Sequence, residues 1–216
     1  MKERVFRFRA VERRLVAQHA GLRVLDVGCG RGDNLARLVR YGAQPKGLEP
    51  NLDRARQACT IVPTVVGVGE AIPWRDASVD MVYVSHVLHH ATSLDRVLEE
   101  IYRVLAPGGM IFAIETIDDS PLMRLARRLQ PRWEGDEVLN RFRYADLVHA
   151  FERHGFSVRE GQKFNWMYFA WELLPLTLRP LEHLTPLFIG LESALARWLD
   201  RWGGHCWIVA EKRHLE

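Results

Sequence analysis

An aspartate followed by three alternating glycines, Asp26-Val27-Gly28-Cys29-Gly30-Arg31-Gly32, is the stretch best suited to chemistry in this chain. A side chain at Gly28 or Gly30 would keep a ligand away from the backbone and forbid positive φ. The free N–H groups of a helix that follows such a loop favour a carboxylate or phosphate on that ligand. Glu49, about twenty residues past the loop, has the type and spacing of an acid that accepts both hydroxyls of a ribose. The loop therefore reads as a site for a nucleotide-like molecule.

A second group of residues could move a proton. His86, His89 and His90 follow one apolar run, and Glu115 closes another. A histidine or carboxylate within hydrogen-bond reach can take the proton of a hydroxyl or phenol. His86 and His90 are four apart, a spacing that lets two side chains share a helical face. His86, His90 and Glu115 are thus the catalytic candidates, with orienting a substrate as the other role for Glu115. His89 reads more simply as a packing or capping residue. Other residues have plain structural readings too. Asp26 could accept N–H bonds within its own loop, Glu70 could be a helix-start residue on the surface, and Cys29 reads as a small apolar filler.

The glycine spacing narrows the ligand. A dinucleotide loop calls for G-x-G-x-x-G, whereas here the third glycine, Gly32, comes one position early and Asp33 follows it. The negative charge of Asp26 would also lie close to a pyrophosphate. That same charge suits the ammonium of a methionine moiety.

The elements needed to position these residues are legible from periodicity. Residues 4–20 place Val5, Phe8, Val11, Leu15 and Val16 near helical spacing, which predicts an amphipathic helix across the mouth of the loop. Strands are expected at 22–27, 46–49, 64–68, 79–85 and 110–115. Helices are expected at 34–41, with Leu35, Leu38 and Val39 inward, from Pro50-Asn51 to about 59, and at 93–105. Gly42 ends the first of these helices, and Pro107-Gly108-Gly109 is a turn before the fifth strand. Apolar strands alternating with helices imply right-handed crossovers and a parallel sheet. Asp26, Glu49, Val68, Ser85 and Glu115 then fall at the carboxyl ends of strands, where such sheets bind ligands.

Beyond Glu115 the rhythm changes. A basic helix and loop at 119–135, a helix at 144–154 ended by Gly155, strands at 157–161 and 206–211, and a long aromatic segment between those strands are expected. The organisation predicted is one domain over 1–216: an N-terminal helix (1–20), a cofactor-binding core (22–115), lid or substrate-side helices (116–154) and an aromatic insertion (162–204).

Four ordered blocks, VLDVGCGRG, GLEPN, GEAIPWRDASVDMVYVSHVLHH and LEEIYRVLAPGGMIFAIE, resemble the class I, seven-stranded Rossmann-like methyltransferases that depend on S-adenosylmethionine. The likeness covers residues 23–115 and is similar to the small-molecule subgroup, which includes quinone methyltransferases. It implies an α/β, doubly wound, mostly parallel seven-stranded sheet with an antiparallel last strand and a helical insertion. Carried over by residue, it implies that Asp26, Gly28 and Gly30 surround the methionine part and that Glu49 binds the ribose. Pro50 and Asn51 would flank the adenine, Gly69 and Glu70 would reach its edge, and Ser85 would lie near the sulfonium. The family often has an aspartate two residues before Glu70, and this chain has Val68.

The activity implied is methyl transfer to a small, lipophilic acceptor, oxygen being slightly favoured, with S-adenosylhomocysteine as co-product. The alternatives are a cofactor-binding partner protein without turnover and an RNA methyltransferase. The net charge of +3 gives no support to nucleic acid, and SHVLHH stands where an Asn-Pro-Pro-Tyr-like block would follow the fourth strand. Three scattered cysteines without histidines at ligand spacing give no metal site and suggest a reducing compartment. A charged N-terminus and an aromatic segment broken by charges and prolines point to the cytoplasm rather than to a membrane span. Two stretches could still touch a membrane, line an acceptor pocket or form an interface: the basic run Met123–Trp133 and the aromatic insertion, chiefly 164–191. Oligomeric state is left open.

Overall fold

The computed structural model describes residues 8–18, 21–121, 124–125, 139–164, 194–195, 198 and 200–213. In chain order the elements are α1 (Phe8–Ala17), β1 (Arg23–Val27), α2 (Asp33–Arg40), β2 (Gln44–Glu49), α3 (Leu52–Ala58), β3 (Thr64–Val66), β4 (Val79–Ser85), α4 (Leu94–Val104), β5 (Leu105–Thr116), α5 (Tyr144–Arg153), β6 (Phe156–Phe164) and β7 (His205–Lys212). The strands form one sheet in the order β3-β2-β1-β4-β5-β7-β6. Neighbours from β3 to β5 pair in parallel, and β7 runs antiparallel to both β5 and β6. This is the doubly wound, seven-stranded Rossmann-like architecture, with the last strand reversed as expected.

Strand order reverses between β1 and β4, so a crevice opens beyond their carboxyl ends. Apolar side chains fill both faces of the sheet, as buried parallel strands require. On one face Leu25, Val27, Val82 and Val84 meet Val97, Leu98 and Ile101 of α4 and Leu147 and Phe151 of α5. On the other, Val24, Met81, Tyr83, Phe112 and Trp207 meet Phe8, Leu15 and Val16 of α1 and Leu38 of α2. The apolar side of α1, expected across the loop mouth, is thus part of the sheet's own core.

Several local expectations need correction. Val39 of α2 is 46% exposed, and Arg37 takes the buried place at 4%. The periodicity allowed either, and an acid from α1 decides it. The proline-glycine turn at 107–109 lies inside β5 rather than before it. Val79 pairs with Leu105 and Met81 with Met110, so the intervening residues bulge out of register. β3 stops at Val66, leaving Val68 exposed beyond it. Gly42 (φ +94°) and Gly155 (φ +82°) do follow the ends of α2 and α5, in the left-handed conformation glycine allows. No helix among the described residues is long and apolar enough to cross a membrane. The aromatic stretch 165–192 and most of the basic run 122–138 lie outside the described residues.

Candidate active site

The loop after β1 is tied to the end of β2. Leu48 O accepts hydrogen bonds from the N–H of Gly28 (2.7 Å) and Cys29 (3.1 Å). Glu49 completes the clasp, its Oε2 accepting from Gly30 N–H at 2.9 Å and its Oε1 from Asn51 N–H at 3.1 Å. The carboxylate is 4% exposed, and each oxygen keeps acceptor capacity for a further donor. One side chain can therefore shape the loop and still receive two hydroxyls. Asn51 caps α3, its side chain accepting from Asp53 and Arg54 N–H. Its amide oxygen is thereby committed to the helix, while Pro50 stands exposed just before the cap.

The three loop glycines differ in what surrounds them. All have positive φ, +71° at Gly28, +58° at Gly30 and +94° at Gly32. A Cβ at Gly28 would overlap Val87, and one at Gly32 would meet Ile61 Cδ1 at 2.8 Å. At Gly30 a Cβ would meet nothing within 4 Å. Gly28 and Gly32 are therefore held by packing, and only Gly30 borders open space that a ligand could enter. The Gly28–Val87 approach also brings the loops after β1 and β4 together.

Asp26 is fully buried, and neither of its carboxylate oxygens has a hydrogen-bond partner among the described residues. It does not tie its own loop, which Leu48 and Glu49 hold instead. Burial pushes its pKa well above the ordinary value; Arg37 opposes the rise, while Glu12 and Glu49 add to it. A buried, unsatisfied acid costs several kcal/mol, of order 1–3 for lost hydrogen bonding alone, unless a cationic donor completes it. Beside it, Arg37 donates to Glu12 Oε1 (2.8 Å), Asn34 Oδ1 (2.7 Å) and Tyr83 OH (3.1 Å). Sequence reasoning missed this network. Its only sequence signal was Glu12 on the same helical face as Phe8, Leu15 and Val16, where an apolar residue belongs.

The β4 end presents Ser85, half-buried, and then His86 with φ +57°. That conformation is sparsely populated for a residue with a side chain and clusters at functional positions. His86 does not share a helix with His90, because only Leu88–His90 form a short 3-10 turn. The His86 ring reaches solvent, yet the protein crowded round it lowers its pKa; Glu115 opposes this, and His89 and His90 reinforce it. Neutral imidazole is thus favoured. Glu115 is 1% exposed, and its Oε2 accepts from His89 N–H at 3.2 Å and lies 2.8 Å from His89 Nδ1. His89 is therefore a structural partner of Glu115, and the His90 ring packs on it with centroids 4.0 Å apart. Oε1 of Glu115 has no donor among the described residues. Of the three catalytic candidates, His86 stands at the β4 end with Thr116 Oγ1 3.3 Å from its Nδ1, whereas Glu115 braces the turn that carries His89 and His90.

On the expected adenine side, Gly69 packs close to Val27 and Val97, where a Cβ would come within 3.3 Å of Val97 Cγ2. Glu70 is a loop clasp rather than a helix start. Its Oε1 accepts from Thr92 N–H (2.8 Å) and Thr92 Oγ1 (2.9 Å). Burial alone would raise its pKa, but these bonds and its own backbone lower it. Cys29 is buried, and burial aided by Asp26 and Glu49 pushes its pKa up to about 12, so it is no nucleophile. Among the described residues no group of three or more His, Cys, Asp or Glu could hold a metal ion.

Residues 25–113 match the family model described as "Methyltransferase domain". The chain is 34% identical over 139 residues to a malonyl-[acyl-carrier protein] O-methyltransferase of Pectobacterium atrosepticum, spanning 63% of this chain and 54% of that protein. It is 33% identical over 129 residues to the ubiquinone/menaquinone biosynthesis C-methyltransferase UbiE of Bordetella parapertussis, spanning 55% of this chain and 47% of that one. The chain thus spans about half the length of these curated relatives. Among solved structures, an S-adenosylmethionine dependent methyltransferase from Mesorhizobium loti superposes with a TM-score of 0.66 at 19% identity, covering 93% of this chain and 96% of that one.

Proposed function

We propose that this chain, whose residues 25–113 match a methyltransferase domain model, is a class I, Rossmann-like S-adenosylmethionine-dependent methyltransferase that transfers a methyl group to a small, lipophilic acceptor. The observation that carries this reading is the pairing of Gly30 with Glu49. The one loop glycine bordered by open space is hydrogen-bonded to a buried carboxylate whose two oxygens each keep acceptor capacity for a hydroxyl donor. The residues also fit the rest of the cofactor, since the orphaned Asp26 carboxylate calls for a cationic partner of the kind a methionine ammonium supplies.

In this reading Asp26 and Gly30 enclose the methionine part with Gly28 shaping the turn between them, Glu49 holds the ribose, and Pro50, Asn51, Gly69 and Glu70 border the adenine. Ser85 lies toward the reacting centre. Bound S-adenosylmethionine supplies a methyl carbon already activated by its sulfonium. The protein's contribution is then positioning, together with a base where the acceptor starts protonated. His86, neutral and at the β4 end, takes the proton of a hydroxyl acceptor, which favours oxygen methylation; the relatives named above include both an O- and a C-methyltransferase. The acceptor itself is assigned to the segments Met123–Trp133 and 164–191, most of which lie outside the described residues.

Calorimetry with S-adenosylhomocysteine tests the core of the proposal. Replacing Glu49 with Ala removes two charge-assisted contacts worth about 1.5–3 kcal/mol each, so affinity should fall by at least about a hundredfold. Unchanged affinity would mean the ribose lies elsewhere. Release of S-adenosylhomocysteine only when an acceptor is added separates an enzyme from a cofactor-binding partner protein.

A further inference from the structure

Resting on the assignment of His86 as proton acceptor, we infer that Thr116 is a positioning residue that fixes which nitrogen of His86 is bare. Thr116, the last residue of β5, places its Oγ1 3.3 Å from His86 Nδ1. A neutral imidazole has one N–H and one lone pair, and a hydroxyl can meet either. If the hydroxyl donates to Nδ1, the proton sits on Nε2 and the ring has no lone pair left for an acceptor. If Nδ1–H donates to Oγ1, Nε2 is bare and can act as a base. Only the second arrangement is compatible with proton abstraction, and the hydroxyl hydrogen of Thr116 is free to rotate to another acceptor.

The surroundings hold the ring to this contact. His86 N–H donates to Ile114 O at 2.8 Å, which pins the left-handed backbone beside β5. Directly opposite Thr116 on β7 is His205, and opposite His205 on β6 is Phe164. The His205 ring meets His86 edge-on, with centroids 5.3 Å apart and planes at 80°. Phe164 backs His205 at 5.6 Å, and Phe8 of α1 backs Phe164 at 5.4 Å. A row of rings anchored in the core therefore closes one side of His86, leaving Thr116 as its hydrogen-bonding guide. The charged and titratable groups facing it are Glu115 from β5, His89 and His90 from the following turn, and His205 from β7.

The test is long-range proton–nitrogen NMR of the histidine rings in the full chain, uniformly labelled with nitrogen-15, at neutral pH, with His86→Gln used to assign the resonance. Wild type should show His86 protonated at Nδ1 and bare at Nε2. Thr116→Val, which keeps the β-branched shape, should shift it toward the Nε2–H form, and Thr116→Ser should restore it. Thr116→Ala replaces the valine variant if the latter melts early. A wild-type ring protonated at Nε2, or a tautomer that ignores Thr116→Val, overturns the inference. The base assignment fails separately, if His86→Gln keeps full acceptor turnover whatever the tautomer.

Discussion

Alanine at Gly30 and alanine at Gly28 should fail in different ways. Both positions are left-handed, at φ +58° and +71°, so either substitution costs roughly 1–2 kcal/mol for placing a Cβ in that region. At Gly30 the bill stops there, because the new methyl meets nothing within 4 Å. At Gly28 the methyl overlaps Val87, adding roughly 1–3 kcal/mol of overpacking. Urea unfolding of the ligand-free proteins should therefore rank wild type above Gly30→Ala above Gly28→Ala. Trimming Val87 to Ala in the Gly28→Ala background should recover part of the loss. Calorimetry with S-adenosylhomocysteine should show the inverse emphasis. Gly30→Ala places its methyl in the space assigned to the ligand, and even a shift of about 1.4 kcal/mol weakens binding tenfold. Wild-type affinity in a folded Gly30→Ala protein would refute the assignment of that open space to the cofactor.

Two further outcomes follow from the buried charges beside the loop. Asp26 has a folded-state pKa above its ordinary 3.8, so its contribution to stability is fully present below that value and is lost as pH rises through the raised one. Asp26→Asn should remove this loss, so that its stability relative to wild type improves as pH is raised from about 4 to about 8 in ligand-free urea melts, while affinity for the cofactor falls; a pH-independent difference would show that Asp26 is already satisfied. Glu12 and Arg37 are 1% and 4% exposed, and Glu12→Ala strands the guanidinium. Stability should drop by about 3–5 kcal/mol, against a smaller loss for Glu12→Gln, and a drop below about 1 kcal/mol would show that Asn34 and Tyr83 suffice without Glu12.

The centre of the sheet was legible because β1, β4 and most of β5 are apolar runs bounded by Gly, Pro and acids, whereas the polar residues of β2 and β6 blurred those strands' ends. Gly28 to Gly32 and Glu49 were legible too, because their spacing follows from one strand-loop-helix unit. Partners brought together by tertiary structure were not legible. Nothing local distinguishes Arg37 from Val39 as the inward residue of α2; the choice is made by Glu12, which approaches from another helix. Glycines of one motif look equivalent in sequence, yet Val87 and Ile61 decide which of them can face a ligand. His86, His89 and His90 form one cluster in the sequence, and the left-handed turn at His86 separates them, sending His89 to Glu115 and His86 to Thr116. Thr116 and His205 had no motif to announce them. They act through register across β5 and β7, and register between distant strands is invisible one strand at a time.

The position of β7 also bears on how the molecule is made. β6 sits at the sheet edge, and its one strand neighbour is β7, which begins at His205 after residues 165–204 have intervened. During synthesis the strands from β1 to β5 can assemble as they leave the ribosome, because each finds a partner already present or next to emerge. β6 cannot. Phe156 can already rest on Phe151 and Tyr102, but the backbone of β6 has no strand to pair with until β7 enters between it and β5. His205 travels on that late strand, so the wall beside His86 is completed only when the sheet is. A nascent chain stalled before residue 205 would hold the Gly28–Gly32 loop and Glu49 but lack the ring that flanks His86.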